Sequence, residues 1–465
     1  MVRLPSSVDV RGHALSASSA DTAARLDVVI DAYLGARRNT AALLAGVIAD
    51  DPDCTVAHCL DGYLGMLSTH REGRERAGDA LRRAREVATR LDATPREERH
   101  LRALDAWQRG ELRTAAREWN LLLEDHPRDL LAVKVSQFVL SYLGESDHML
   151  ETIARVLPSW SSQVHGYGYL LGCHAYALEE TGQYERAETT GRLAVELDPS
   201  DIWAAHAVAH VTEMEGRPHD GLAWIDEVSG HWHECNGFAN HLRWHQALLL
   251  LDMERYADTL GLYDREVRRE RTDEYLDVAN AVSLLWRLEQ ADIDVGDRWG
   301  ELASSADRRA ADHALVFVDL HYAMALAAAG DAATMARFIE SCERFALGRS
   351  TEAEVMRDVG LPTVRAIRAH REGNFTEVVH LLMPLRHHLR RIGASHAQRD
   401  LFEQLLIDGA WRAPAPRIAA ELLAERTTRR PRHRWGWRHY AAVLDALRAP
   451  GATDAWRQVE QLRGR

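Results

Sequence analysis

The chain has 465 residues, 46% of them hydrophobic and 27% charged, which is the composition of an ordinary soluble globular protein. Its formal net charge of −13 argues against nucleic acid as the main partner, because neutralising phosphates requires a basic surface. The five cysteines are odd in number and scattered, so they favour a reducing compartment over a disulfide scaffold.

Neither a signal peptide nor a membrane span is expected. The first 35 residues lack an apolar segment of signal-peptide length. The long uncharged run over 156–178 contains a proline, polar side chains and two histidines, which make it a poor membrane span. We therefore expect a cytoplasmic protein. Lys134 is the only lysine beside 56 arginines, a bias typical of a GC-rich bacterial genome.

Residues 1–20 are rich in serine, alanine and aspartate and indicate an arm before the first helix. The chain then repeats one spacing three times, with a glycine seventeen residues before a proline: Gly35 to Pro52, Gly110 to Pro127 and Gly182 to Pro199. In a tetratricopeptide repeat a small residue turns the first helix into the second, and a proline closes the second helix. The spacing therefore predicts stacked helical pairs.

Turn signals continue at intervals of 34 to 43 residues along the chain. They fall at Gly35, Gly73, Gly110, Gly144, Gly182, Gly216, Glu254, Gln290, Gly330, Gly373 and Gly409. The pattern predicts an all-α fold of tetratricopeptide-type hairpins stacked in a right-handed superhelix, a solenoid that could curl around a central cavity. Residues 21–465 would form one repeat domain of ten to eleven helical pairs with a C-terminal cap.

Two segments depart from the repeat. Residues 229–240 are polar and longer than a tight turn, which is typical of a lid-like loop at a groove. The spacing of His231, His233 and Cys235 within it resembles a metal cluster, but no Cys-x-x-Cys partner accompanies it, so we interpret the segment as a structural loop. Residues 429–438 are basic with interleaved tryptophans, and we interpret them as a solvated C-terminal cap.

The repeat phase predicts which side chains line the concave side. The inner stripe of a first helix falls thirteen, ten, six and three residues before its turn, which is one face of a helix. Histidines, carboxylates, an arginine and aromatic rings fall on this stripe instead of the common surface charges. The middle repeats place there Tyr169, Tyr176, Trp203, His206, His210, Glu213, His241, Trp244, His245, Asp277, Asn280 and Arg287. Later repeats add Phe317, His396 and Arg399, with Asp400 alongside.

These residue types favour a pocket that does chemistry. Histidine and carboxylate pairs can move protons near neutral pH, which assigns catalytic roles to His206, His210, Glu213, His241, His245 and Asp277. Substrate contacts would come from Tyr169, Tyr176, Trp203, Trp244, Arg287, Phe317, His396, Arg399 and Asp400. No cofactor is predicted. A divalent metal held by His206, His210, Glu213, His241 and His245 is an alternative, although the His-x-x-x-His spacing is a weak motif without a zinc-hydrolase context.

Several strings are more specific than the repeat itself. Among them are AHAVAHVTEMEGRPHDGLAWI (205–225), NHLRWHQALLLLDMERYADTLGLYD (240–264), LDVANAVSLLWRLE (276–289) and SHAQRDLFEQLLIDGA (395–410). Together they resemble the tetratricopeptide-repeat protein 38 family over residues 165–410. The resemblance implies an all-helical repeat fold and a cytoplasmic setting, and it implies no settled reaction. Asn280 stands where the family more often has aspartate.

The leading hypothesis is a groove that binds a small organic or peptide-like molecule and transforms it by acid–base chemistry. One alternative is a non-catalytic scaffold that holds the tail of a partner protein. The other is a metal-dependent enzyme. If the helix beginning at His396 faces the helix that carries His241, the two sets of residues share one cavity.

Overall fold

A computed structural model describes residues 6–414 and 416–463. Within them the fold is all-α, with consecutive antiparallel helical pairs of the tetratricopeptide type, as the glycine and proline spacing predicts. The Cα positions divide the chain into two compact units. The first comprises residues 1–207, 230–238 and 350–352, and the second comprises 208–229, 239–349 and 353–465. The expectation of a single domain from residue 21 stays a prediction.

From residue 6 to residue 197 the chain forms a two-stranded hairpin and ten α-helices. Their bounds are β1 Ser6–Val8, β2 Ala14–Ser16, α1 Ala20–Leu34, α2 Thr40–Asp50, α3 Thr55–Leu67, α4 Arg71–Leu91, α5 Pro95–Gln108, α6 Leu112–Asp125, α7 Leu130–Leu143, α8 Ser146–Val156, α9 Tyr167–Glu180 and α10 Tyr184–Leu197.

The remaining helices begin with α11, in which the boundary between the units falls after Ala207. Their bounds are α11 Ile202–Met214, α12 Pro218–Val228, α13 Phe238–Asp252, α14 Tyr256–Leu262, α15 Tyr275–Gln290, α16 Trp299–Arg309, α17 Val316–Ala329, α18 Ala332–Ala346, α19 Thr351–Val355, α20 Leu361–Arg371, α21 Phe375–Leu382, α22 His396–Arg412, α23 Pro416–Arg429, α24 Arg434–Ala446 and α25 Ala452–Leu462.

The turns between paired helices use the glycines that the spacing singled out. Gly110, Gly182 and Gly330 have φ between 76° and 79°, in the left-handed region. Glycine adopts this conformation readily because it has no Cβ that would clash with the backbone. The prolines of the motif lie between the helices: Pro52 separates α2 from α3, and Pro199 separates α10 from α11. The small residues predicted at the helix–helix contacts are fully buried, namely Ala103, Ala115, Ala175 and Ala187.

Two predicted turns are wrong, because their glycines lie inside helices. Gly73 belongs to α4, where a Cβ would lie 2.4 Å from the carbonyl oxygen of Gly65 on α3. Gly409 belongs to α22, where a Cβ would lie 2.6 Å from Cγ1 of Val378 on α21. At both positions glycine permits the close approach of two helices instead of a bend. The true end of α22 at Arg412 shifts the predicted inner stripe of that helix.

The N-terminal arm contains defined structure. β1 and β2 pair antiparallel, with Ser7 opposite Leu15. The backbone N–H of Ser16 donates to Glu97 Oε1 at 2.8 Å, and its hydroxyl donates to Oε2 at 2.9 Å. Glu97 is buried on α5, so its carboxylate holds the hairpin against the first helical pairs.

The long segment at 229–240 also has a defined place. Its residues 230–238 belong to the first unit, where Cys235 forms an isolated bridge with Arg37 and the N–H of Asn236 donates to the carbonyl of Ala36 at 2.8 Å. Cys235 is buried, whereas His231 and His233 are exposed. The three side chains therefore differ in environment, which agrees with a structural loop.

Across the described ranges, no helix combines the length and the apolar character that crossing a bilayer would require.

Candidate functional site

The predicted site residues of the first unit form an aromatic cluster. The ring of Tyr176 stacks on that of His206 with centroids 5.7 Å apart, and Trp203 lies 5.0 Å from Tyr176. Phe238, from the polar segment, packs edge-on against His206 at 5.0 Å. Tyr169 is half-buried near Gly35, and burial raises the pKa of its hydroxyl. The first unit therefore brings together three of its four predicted residues.

The second unit brings together three buried imidazoles. The ring centroids of His210 and His245 are 4.3 Å apart, and those of His241 and His245 are 4.8 Å apart. One nitrogen of each ring lies within 4.8 Å of the others. The i, i+4 spacing of His241 and His245 on α13 creates one pair, and α11 brings His210 beside it. His206 stands one turn before His210 on α11.

Polar neighbours orient two of these rings. Nδ1 of His245 lies 2.9 Å from Glu213 Oε2, and Nδ1 of His241 lies 3.0 Å from Asn280 Oδ1. Burial holds the pKa of both imidazoles well below the usual range, so both rings are neutral at pH 7. Asn280 thus offers an acceptor where the family resemblance leads us to expect aspartate.

Glu213 connects the imidazoles to a cavity. Burial raises the pKa of its carboxyl to about 7, against the attraction of His210 and nearby arginines. The cavity has a volume of about 60 Å³. Its lining includes Glu213, Leu248, Arg287, Asp400, Gln404 and Trp435.

Arg287 is the unusual cation of this cavity. Its side chain is 8% exposed, and it donates to two backbone carbonyls, those of Ser283 at 3.3 Å and Ala397 at 3.2 Å. No carboxylate of the described residues lies within ion-pair distance of its guanidinium. Burial lowers the pKa of Arg287 to about 10, although the charges of Asp400 and Glu213 oppose the shift.

Asp400 is held by two other arginines. Arg426 donates to both of its carboxylate oxygens, at 2.6 and 2.9 Å, and Arg430 Nη1 lies 3.4 Å from Oδ1. These charges hold the pKa of Asp400 well below its usual value despite burial. Asp400 and Arg287 both line the cavity, so the second unit brings one residue of the later predicted set, Asp400, next to the middle set.

The other predicted residues of α22 lie elsewhere. Arg399 donates to the backbone carbonyls of Gly393 and Ala394, just before its own helix, and His396 is half-buried at the first turn. Neither residue lines the cavity. The reason is that the turn was predicted four residues too early. Counting thirteen residues back from Gly409 selects His396, whereas counting back from Ala413, which follows the true end of the helix, selects Asp400.

Three further predictions fall outside the cavity lining. Asp277 accepts from Thr272 Oγ1 at 2.6 Å and from Asn240 Nδ2 at 3.3 Å, and burial raises its pKa. Trp244 donates from Nε1 to Ser283 Oγ at 2.7 Å. Phe317 packs on the ring of His321 at 4.4 Å. The structure gives these three residues packing or hydrogen-bonding neighbours of their own.

The basic C-terminal stretch supplies residues that the sequence analysis missed. The interpretation of 429–438 as a solvated cap is wrong for Arg430, which is buried, and Trp435 and His433 line the cavity. His433 Nε2 lies 3.4 Å from Asp252 Oδ1. The interleaving of arginine with tryptophan was the available signal, because guanidinium groups often pack on indole rings. Trp435 makes such a contact with Arg426, which lies 4.9 Å from its ring centroid.

No known protein-family model matches the sequence. Among solved structures, the human IFIT1 dimer with m7Gppp-AAAA is 12% identical with a TM-score of 0.39, over 88% of this chain and 89% of that one. The APC/C hetero-tetramer Cut9–Hcn1 is 12% identical with a TM-score of 0.35, over 95% of this chain and 90% of that one. Both neighbours are tetratricopeptide-type proteins. At these scores the similarity carries no argument about function.

Proposed function

We propose that the second unit binds a small molecule bearing a carboxylate and transfers a proton on it. The observation that carries this proposal is the buried guanidinium of Arg287, which has backbone carbonyls but no carboxylate as partners. Burying a charge without an opposite charge is costly, and a bound carboxylate would offset that cost. Arginine is suited to this role because its planar donors match a carboxylate.

Glu213 and His245 are the proton-transfer pair in this proposal. With a pKa of about 7, Glu213 exchanges its proton near neutral pH, and the neutral ring of His245 at 2.9 Å orients its carboxyl. A cavity of about 60 Å³ is far smaller than the pockets of roughly 300–1,000 Å³ that enclose drug-sized ligands. The ligand that fits is therefore short, or it inserts only its carboxylate end.

Binding is tested by thermal shift with acetate and propionate against acetamide and propionamide. We expect the acids alone to stabilise the protein. Arg287→Met should weaken acid binding about 10- to 150-fold, the equivalent of a charged hydrogen bond of about 1.5–3 kcal/mol. Arg365→Met, at an exposed arginine paired with Glu343, is the matched control and should bind normally. Equal shifts by acids and amides, or unchanged binding in Arg287→Met, would contradict the proposal.

Proton transfer is tested with pyruvate in deuterated water, by following exchange of its methyl protons with NMR. Glu213→Gln should lower the protein-catalysed rate by roughly 10²–10⁴-fold, the usual contribution of a general base. Glu227→Gln, at an exposed position on α12, should leave the rate unchanged. If pyruvate binds and the exchange rate is the same with and without Glu213, the pocket is a binding site without acid–base chemistry.

A divalent metal is a second candidate, favoured by the convergence of His210, His241 and His245. Neutral imidazoles are good ligands for zinc, and a carboxylate hydrogen-bonded to the far nitrogen of a ligating histidine is a common supporting contact. Glu213 and Asn280 occupy that position for His245 and His241. Bound zinc would supply a Lewis acid at the edge of the cavity.

Calorimetric titration with zinc chloride tests the second candidate. We expect one site per chain, and a loss of affinity of at least about tenfold in His241→Ala. His380→Ala removes an exposed histidine of α21 and serves as the control. Zinc binding that is absent, or equal in both variants, would reject the metal site.

Two further expectations from the sequence stay predictions. They are membership of the tetratricopeptide-repeat protein 38 family and the alternative of a scaffold that binds the tail of a partner protein.

A further inference from the structure

Lys134 belongs to the first unit. Every other basic position of the Lys and Arg type is arginine, 56 in all, so this one lysine is a departure from the usage of the whole chain. It lies on α7 with 4% of its surface exposed. A biased genome explains why arginine is common, but it does not explain why one buried position keeps lysine.

The surroundings of the Lys134 side chain are aromatic. Its nitrogen lies 3.4 Å from the ring centroid of Trp203 and 5.1 Å from that of Phe138. Trp203 is buried and Phe138 half-buried. Within the described part of the chain, the amine has neither a hydrogen bond nor an ion pair. Contact with ring faces stabilises an ammonium, but much less than a carboxylate would.

Two buried groups act on this amine without pairing with it, first the thiol of Cys173 and then the carboxyl of Asp201. Oδ1 of Asp201 accepts the backbone N–H groups of Trp203 and Ala204, both at 3.0 Å, and so caps α11. Its Oδ2 is buried and has no hydrogen-bond partner among the described residues. The negative charge of Asp201 reaches Lys134 and favours its protonated form. The cluster therefore contains an amine, an acid with an unused oxygen, and aromatic walls.

Lysine and arginine differ at such a position in one decisive respect. Burial lowers the pKa of Lys134 to about 8, so about a tenth of the amine is neutral at pH 7. An arginine stays charged in proteins and offers no nucleophilic lone pair. A desolvated lysine with a lowered pKa is the usual form of an amine that attacks carbonyl carbons.

We propose that Lys134 is a covalent binding site for a small aldehyde or ketone with an apolar or aromatic body. The neutral amine attacks the carbonyl carbon to give a carbinolamine, which then loses water as the C=N bond forms. Nitrogen gives up its two protons, and these leave with the carbonyl oxygen as that water. Asp201 Oδ2 is the group available to carry a proton between them. The aromatic rings of Trp203 and Phe138 form the wall against which the apolar body packs.

Because the chain has a single lysine, labelling of a lysine side chain can occur only at Lys134. The full-length protein is incubated with benzaldehyde and sodium cyanoborohydride, which reduces any imine to a stable benzylamine, and the modified peptide is identified by mass spectrometry. We expect Lys134 in the folded protein to react at least about tenfold faster than in protein unfolded with guanidinium chloride. The rate should rise with pH to a half-maximum near pH 8, the pKa of the amine.

Two variants separate the amine from its surroundings. Lys134→Arg keeps the positive charge and should leave only the α-amino group to be labelled. Asp201→Asn keeps the lysine and should slow labelling severalfold in the folded protein at about pH 9, where most of the amine is neutral with or without the Asp201 charge, while leaving the unfolded rate unchanged. The proposal is overturned if folded wild-type protein is not labelled at Lys134, or is labelled no faster than the unfolded chain. That comparison needs no variant, and it is independent of the carboxylate site in the second unit.

Discussion

Glu213 shows how burial sets the chemistry of a single residue. Its carboxyl is surrounded by His245, the cavity and a group of arginines, and the loss of solvent outweighs these favourable charges. The result is an acid that holds its proton up to about neutral pH. A carboxyl on an exposed helix face would be ionised several pH units lower.

The raised pKa of Glu213 predicts a pH-dependent stability. Between pH 4.5 and about 7 the unfolded chain releases this proton while the folded chain keeps it, so folding stability falls as pH rises, by up to roughly 3 kcal/mol. Glu213→Gln removes this effect because it cannot ionise. We expect the variant to be more stable than wild type at pH 8 and equal to it near pH 4.5, measured by urea unfolding. A difference of the same size at both pH values would contradict the prediction.

Asp400 is the counter-ion of two buried arginines, so it should matter for folding. Asp400→Asn leaves Arg430 without its ion-pair partner and Arg426 with only the contact of its Nη1 to Glu403 Oε1 at 3.4 Å, and should cost about 3–5 kcal/mol. Asp454→Asn, in an exposed pair with Arg457, should cost less than about 1 kcal/mol. Urea unfolding measures both. A loss below about 1 kcal/mol in Asp400→Asn would mean that solvent or another group compensates the arginines.

At the scale of the helix, glycine has two distinct roles in this chain. Gly110 and Gly182 permit the left-handed backbone at a turn, whereas Gly65, Gly73 and Gly409 permit helices to touch. The sequence shows a glycine in both cases and does not distinguish the two roles. The second role explains why counting back from Gly409 selected His396 and Arg399 for the pocket, while the structure places Asp400 there.

The contact at Gly409 predicts a substitution effect of its own. Gly409→Ala places a methyl 2.6 Å from Val378 Cγ1 and should destabilise the protein by about 1–3 kcal/mol through overpacking. Val378→Ala in the same chain should recover part of this loss. Gly78→Ala is the control, because its nearest neighbour is the end of the Gln108 side chain at 3.5 Å, and it should be neutral or stabilising by up to about 1 kcal/mol. A melting temperature of Gly409→Ala above that of the wild-type protein would contradict this prediction.

At the scale of the molecule, the cysteines behave as small hydrophobic residues. All five are free and buried, and burial raises the pKa of each thiol above its ordinary value. Neither disulfides nor reactive thiolates are therefore part of what holds the described fold together.

This burial predicts how the thiols react in solution. We expect a thiol-specific reagent to modify no cysteine on the time scale of minutes in folded protein, and all five after unfolding in guanidinium chloride. Dithiothreitol should leave the melting temperature unchanged. A rapid reaction of one or more thiols without denaturant would show that the helices around them open easily.

The local sequence determined the helical pairs, because glycine turns, interhelical prolines and small packing residues act through nearest neighbours along the chain. The repeat phase together with helical periodicity also selected His210, Glu213, His241, His245 and Arg287, because it assigns them to the concave side of their helices. Only the tertiary structure decided that His433 and Trp435 complete the cavity, that Asp400 pairs with Arg426, and that Lys134 lies over Trp203. These contacts join residues that are distant in sequence. They depend on how the helices pack and on the cost of burying charge, and neither can be predicted from a local sequence pattern.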